Sequence, residues 1–195
     1  LAREPLLPVA AMKIAGSHNI SNALAALALG SAVGLAMPAM LTALCEFNGL
    51  AHRCEFIAEI AGVRYYNDSK GTNVGAAVSA LRGLAGSGKV VLIAGGIGKG
   101  ADFTPLMNAA ADSARAAVFI GEMAPKMLEL LAGRIPAAIC DTLLSAVNAA
   151  ADYVVDGDVV LLSPACASFD MFKNYEHRGE VFSEAVKSLA RGVSV

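Results

Sequence analysis

A mainly parallel, doubly wound α/β sheet preceded by a short helical segment is the fold this sequence predicts, on three observations. Apolar runs such as Val90-Val91-Leu92-Ile93-Ala94 and Val159-Val160-Leu161-Leu162 have the length and composition of strands buried on both faces. From about Gly49 onward such runs alternate with segments of helical period. Both runs end in glycine or small residues, which let another group approach the backbone closely.

Met12 to about Phe47 reads as helices. Ser17 is placed to cap a segment with Ile20, Leu24, Leu27 and Ala28 on one face, and Pro38 restarts a second through Met40, Leu41 and Leu44. Two helices alone have nothing to cover, so residues 1–48 read as the tail of another domain or an appendage, and residues 49–195 as the α/β domain. Strands are expected at 56–61, 63–67, 89–95, 115–121, 137–140 and 158–163, the first two as a hairpin around Gly62. Helices are expected at 73–84, about 104–112, 124–132, 142–153 and 178–190. The chain opens at Leu1 without a methionine and reads as a fragment of a longer protein.

The 195 residues are 56% hydrophobic and 16% charged, the composition of a packed globular chain rather than a disordered one. A formal charge of −2 supplies no broad basic field for nucleic acid or an anionic membrane, which leaves a small ligand as the expected partner. No apolar run approaches the roughly 20 residues that span a bilayer. Cys45, Cys54, Cys140 and Cys166 show no metal or redox spacing, and no secretory signal is visible, so a reducing cytoplasm is expected.

The densest chemistry lies in Arg64-Tyr65-Tyr66-Asn67-Asp68-Ser69-Lys70-Gly71-Thr72-Asn73, where a carboxylate, an ammonium, hydroxyls and amides crowd one strand-to-helix turn. Turn and cap duties account for one or two of Asn67, Asp68, Thr72 and Asn73. They give no reason for Lys70 beside a helix N-terminus, where a cation is disfavoured. A second loop, Gly95-Gly96-Ile97-Gly98-Lys99-Gly100, lets a backbone approach an anion and carries one lysine. It is not a Walker A loop; Gly96-x-Gly98-x-x-Ala101 meets only the loose dinucleotide pattern, with Glu122 downstream as its acid, and a plain turn explains the glycines equally. Ser163 to Ser168 follows the last strand with small residues and hydroxyls suited to a carboxylate ligand, while Cys166 reads as buried and structural. Arg53, at the junction of the two parts, suits a phosphate or an interdomain ion pair equally well.

Four ordered segments carry a family resemblance: Gly16-Ser17-His18-Asn19-Ile20-Ser21-Asn22-Ala23, Gly49-Leu50-Ala51-His52-Arg53-Cys54-Glu55, Asn67-Asp68-Ser69-Lys70-Gly71-Thr72-Asn73, and Ser163 through Gly179. Together they resemble the C-terminal part of the Mur ligase family, which builds peptidoglycan, and within it the members that add D-glutamate. Gly71 stands where those members usually carry alanine, and Tyr175 where they often carry phenylalanine. The resemblance implies a Rossmann-like C-terminal domain, Mg²⁺ and ATP, and a cytoplasmic monomeric enzyme that joins D-glutamate to UDP-N-acetylmuramoyl-L-alanine through an acyl phosphate. It assigns Asn19 and Asn22 to the adenine, Asp68 to the ribose and Arg53 to the phosphates. Lys70, Thr72, Lys99, Ser168, the Phe169 backbone and Tyr175 would surround D-glutamate and the acyl phosphate, with Lys70 and Arg53 as the catalytic cations. Magnesium ligands and a Walker A loop are expected upstream, so the fragment alone is expected to be inactive. The rival readings are another Mur-type amino-acid ligase, a nicotinamide-dependent oxidoreductase resting on the glycine loop, and a non-catalytic binding domain.

Overall fold

The computed structural model describes residues 5–14, 16–86 and 88–192; Leu1, on which the fragment expectation rests, lies outside the described residues. One six-stranded sheet holds β1 (Glu55–Ile60), β2 (Val63–Asn67), β3 (Val90–Gly95), β4 (Ala114–Ile120), β5 (Ala137–Cys140) and β6 (Val159–Leu162). Its order is β1-β2-β6-β3-β4-β5. β1 pairs antiparallel with β2, and the other pairings are parallel. The hairpin closes through Ala61 and Gly62, both at positive φ (49° and 76°), so the tight turn follows the right-handed twist of its strands.

Among the described residues seven α-helices accompany the sheet: α1 (Ser17–Ala32), α2 (Met37–Glu46), α3 (Val74–Leu84), α4 (Thr104–Ser113), α5 (Ala124–Leu131), α6 (Leu143–Tyr153) and α7 (Tyr175–Gly192). Because side chains alternate along a strand, the buried strands feed two cores. Val90, Leu92, Ala94 and Leu161 pack against Leu81 of α3, Leu106 and Met107 of α4 and Met127 of α5. Val91, Ile93, Val160 and Leu162 pack against Val147 of α6 and Phe182 and Val186 of α7. This explains why strand-length runs are apolar throughout rather than alternating.

α1 lies against α3 and α2, with Ala23 and Leu27 buried, but Leu24, Leu29, Val33 and Leu35 are exposed. Two termini differ from the sequence expectation. Ser17 is the first residue of α1 rather than its cap: Gly16 occupies the cap position, with no side-chain hydrogen bond. α7 begins three residues before 178, because Asn174 receives the His177 amide on Oδ1 (2.7 Å) and the Arg178 amide on its carbonyl (3.2 Å). No helix among the described residues is long and apolar enough to cross a membrane.

The winding positions the site. β2 and β3 lead into α3 and α4 on one face, whereas β6, between them, leads into α7 on the other. Neighbouring strands whose connections depart to opposite faces leave a crevice at their carboxyl ends, where ligands bind in open α/β sheets. The strand order sets such a switch point on each side of β6.

Candidate active site

On the β2 side, Asp68 is 7% exposed and follows the strand directly, with its amide held by Leu162 O at 2.7 Å. Its Oδ1 accepts from the Cys54 amide at 3.2 Å and its Oδ2 from the Ser163 hydroxyl at 2.6 Å. Burial pushes the Asp68 carboxyl above its ordinary pKa; these donors and the Arg53 charge offset the rise only in part. A Cβ on Gly71 would fall onto Asp68 Oδ2 and within 2.8 Å of Ser163 Oγ. The glycine that departs from the family pattern therefore makes room for this carboxylate–hydroxyl pair.

Asp68 lines a cavity of about 180 Å³ together with Asn19, Asn22, Arg53 and Lys70. All four residues expected at the nucleotide thus meet at one opening, and Asn22 donates to Asn19 Oδ1 at 3.1 Å across its rim. Lys70 carries its ammonium 4.0 Å from the centre of the Tyr175 ring, so the two residues form a cation–π pair. That ring also meets His52 edge-on, with centroids 6.1 Å apart. The Lys70 amide donates to His52 O at 3.0 Å and the Thr72 amide to Lys70 O at 2.8 Å, which folds the loop into consecutive turns before Asn73 caps α3. Asn67 serves structure: its side chain bridges His52, Gly179 O and the Ser69 amide.

On the β3 side, Ile97 and Ala167 exchange backbone hydrogen bonds of 3.0 and 3.1 Å. The bridge binds the loop of Lys99 to that of Ser168. The expected group of Asp68, Lys70, Thr72, Lys99 and Ser168 therefore shares the carboxyl edge of three adjacent strands, β2, β6 and β3. Ser168 is 2% exposed, and its hydroxyl has no hydrogen-bond partner among the described residues. A buried hydroxyl left unpaired is costly unless a ligand or water meets it. The Phe169 side chain is 70% exposed, leaving its backbone as the part near the crevice.

The glycine loop is not an open phosphate cradle. A Cβ on Gly95 would strike Ile120 O, and one on Gly96 would strike Ala167 O. Gly95, and Gly96 that opens the dinucleotide pattern, are thus accounted for by the chain's own close packing. Cys166 is fully buried, and burial pushes its thiol up to about 12, which suits the structural reading.

The sequence reading missed Arg178. It is wholly buried, and its guanidinium donates to Ser69 Oγ (3.0 Å), Ser69 O (2.9 Å) and Cys166 O (3.2 Å), tying the loop after β2 to the loop after β6. Burial pulls its pKa down to about 10, yet it stays charged at neutral pH and adds positive potential beneath the crevice. Backbone strain collects here as well: His52, Cys54, Lys99 and Ala165 all have positive φ in loops at this edge.

Residues 52–166 match the model of the Mur ligase glutamate ligase domain, more than half of the chain. The chain belongs to the Mur ligase family. It is 54% identical over 189 residues to the UDP-N-acetylmuramoylalanine–D-glutamate ligase of Pseudomonas syringae pv. tomato, covering 96% of this chain and 42% of that protein. The enzyme of the same name from Hahella chejuensis is 56% identical over 188 residues, covering 95% and 42%. This Mur ligase chain thus spans about two fifths of the length of the relatives it matches. Among solved structures, the UDP-N-acetylmuramate–alanine ligase of Thermotoga maritima superposes with a TM-score of 0.67 at 19% identity, covering 91% of this chain and 40% of that one. Folylpolyglutamate synthase of Mycobacterium tuberculosis, complexed with ADP, gives 0.64 at 15% identity, covering 91% and 41%. At such identities these structures support the fold of the Mur ligase domain and nothing finer.

Proposed function

We propose that this chain is the C-terminal portion of a UDP-N-acetylmuramoylalanine–D-glutamate ligase, with residues 1–48 as the last helices of the ATP-binding domain and 49–195 as the amino-acid domain. One observation carries the reading: the crevices flanking β6 bring the expected nucleotide residues and the expected amino-acid residues to one edge of the sheet. The identity of 54–56% with D-glutamate ligases supports it.

In this reading Asn19 and Asn22 meet the adenine, Asp68 accepts from the ribose hydroxyls and Arg53 lies along the phosphates. The substrate carboxylate takes the γ-phosphoryl group of ATP and releases ADP. The D-glutamate amine then attacks the acyl carbon, expels phosphate, loses a proton and leaves an amide. Neither step needs a protein nucleophile; both need aligned reactants and positive charge. Lys70, held against Tyr175, and Lys99 supply that charge, with Arg178 buried behind them. Thr72, the Ser168 hydroxyl and the Phe169 backbone provide neutral contacts for the amino acid. Magnesium would accompany the triphosphate, but no cluster of three or more His, Cys, Asp or Glu side chains that could hold a metal occurs among the described residues. The free cysteines accord with a reducing cytoplasm, and the reading takes the enzyme as a monomer.

The test is phosphate release by the full-length ligase with UDP-N-acetylmuramoyl-L-alanine and Mg²⁺-ATP, one amino acid at a time. Turnover is expected with D-glutamate and not with L-glutamate, L-lysine or a diamino acid. Preference for any of the latter would make this another Mur-type ligase.

A further inference from the structure

Ser163 lies outside every role assigned so far, yet it is fully buried and spends its hydroxyl on Asp68. It closes β6 at the point where the strand meets β3, its amide held by Ile93 O at 3.1 Å, so its position is set by the sheet rather than by a loop. It shares the Asp68 carboxylate with the Cys54 amide, one donor on each oxygen. A carboxylate has about four acceptor sites, so two inward donors leave acceptor capacity on both oxygens for the cavity that Asp68 lines. Gly71 clears the space in which the hydroxyl and carboxylate meet.

We propose that Ser163 is the positioning residue for Asp68: its hydroxyl fixes the carboxylate plane so that both oxygens meet the two hydroxyls of a vicinal diol at once. The inference rests on the reading that Asp68 faces the nucleotide ribose. Without the Ser163 donor the carboxylate keeps only the weaker hold of Cys54, through its amide and thiol, and is freer to turn about its Cβ–Cγ bond. The two-point contact with a diol is then lost, while a sugar with one hydroxyl loses little.

Protonation gives an independent signature. The groups facing Asp68 are Arg53, Lys70 and the Cys54 thiol on its own side of the sheet, Ser163 directly after β6, and Arg178 on α7. Burial already raises the carboxyl, and Ser163 is the largest influence opposing it. Removing that hydroxyl favours the protonated acid, so nucleotide binding that needs the carboxylate weakens from a higher pH downward.

The experiment is nucleotide affinity in the full-length ligase by calorimetric titration. Four proteins are compared: wild type, Ser163→Ala, Asp68→Asn and the double variant, each with Mg²⁺-ATP and Mg²⁺-2′-deoxy-ATP across pH. In Ser163→Ala we expect about a tenfold loss for ATP, the scale of one charge-assisted hydrogen bond, and less than about twofold for 2′-deoxy-ATP. In the Asp68→Asn background the same change should add nothing for either nucleotide, and the acid limb for ATP should move to higher pH in the single variant only. Retained 2′-deoxy-ATP binding doubles as the control for folding; should Ser163→Ala not fold, Ser163→Cys, which keeps the size and weakens the donor, is read in its place. Equal losses for both nucleotides, or an undiminished Ser163 effect without Asp68, overturn the positioning role. If wild type and Asp68→Asn both fail to distinguish the two nucleotides, the ribose reading itself has failed, and the proposal with it.

Discussion

Two buried aspartates mark the two ends of the sheet, and their surroundings are opposite. Asp158, at the amino end before β6, is 1% exposed and receives the Arg115 guanidinium through Nε and Nη2, together with the amides of Lys89 (2.9 Å) and Val155 (3.0 Å). Burial works against its charge, but the guanidinium and amides outweigh it and the pKa falls below the ordinary carboxylate value. Asp68, at the carboxyl end, has no such ion pair among the described residues, and its pKa rises. The contrast extends to each edge. Around Asp158 the polar groups satisfy one another, whereas around Asp68 a lysine sits on an aromatic ring, and among the described residues a buried serine hydroxyl is unpaired and a buried arginine donates only to neutral oxygens. The polar groups of the amino edge are matched to one another; those of the carboxyl edge are not all matched among the described residues.

The largest effect expected from this contrast is at Lys99. In the full-length ligase, Lys99→Ala should raise the KM for D-glutamate far more than that for ATP. Removing one partner of a desolvated charge-assisted contact costs roughly 2–5 kcal/mol, or about 30-fold to several thousandfold. Equal losses for both ligands would move Lys99 to the nucleotide and break the division of the edge into two crevices.

Next is stability. Asp158→Asn should lower the unfolding free energy of the 195-residue chain by about 2 kcal/mol in urea titration, because it strands the Arg115 charge and sets an amide donor against amide donors. Asp68→Asn, which removes a charge that burial disfavours, should leave the urea midpoint unchanged or higher while weakening ATP binding. A midpoint that falls as far as in Asp158→Asn would make Asp68 a structural carboxylate.

The pH dependence separates the two by sign. Asp158, with a lowered pKa, contributes stability that is present above its unfolded value, near 3.9, and is lost as pH falls through the folded pKa. Asp68, with a raised pKa, contributes stability that is present below the unfolded value and is lost as pH rises through the folded one. Between wild type and Asp158→Asn the stability gap should therefore close toward about pH 3; between wild type and Asp68→Asn a gap of opposite sign should open above about pH 4. Gaps of the same sign in both titrations would contradict the assignment.

Much of this was legible in the sequence, because it depends on local pattern. The run from Val90 to Ala94 is apolar throughout, as a strand between two helical layers must be, and the polar crowding at Asp68 to Thr72 marked the turn whose Asp68 and Lys70 line the cavity beside β2. What was not legible depends on residues far apart in the chain. Asp68 meets Ser163 across 95 residues and Arg178 meets Ser69 across 109, and no short window holds either pair. The glycine loop misleads for the same reason: Gly96 is required by Ala167 O, which only the fold brings there. Ser17 has cap chemistry in the right place, and the helix starts one residue early regardless.

The smallest effect expected concerns Tyr175 and refines how the carboxyl edge holds the Lys70 charge. If the ring acts on Lys70 as a surface, Tyr175→Phe should preserve the arrangement, because a phenyl face presents nearly the same negative quadrupole to the ammonium. Tyr175→Leu removes that face, and at a partly exposed site the loss should be about 0.5–1 kcal/mol, or roughly two- to fivefold in kcat/KM for D-glutamate. A double cycle with Lys70→Ala is the measurement: the Tyr175→Leu penalty should vanish once the ammonium is gone. A penalty that persists without Lys70 would show Tyr175 touching substrate itself and would make it a ligand contact rather than a support for the lysine; a Tyr175→Phe loss as large as that of leucine would assign the effect to the phenol hydroxyl, which also bonds Glu176, rather than to the ring face.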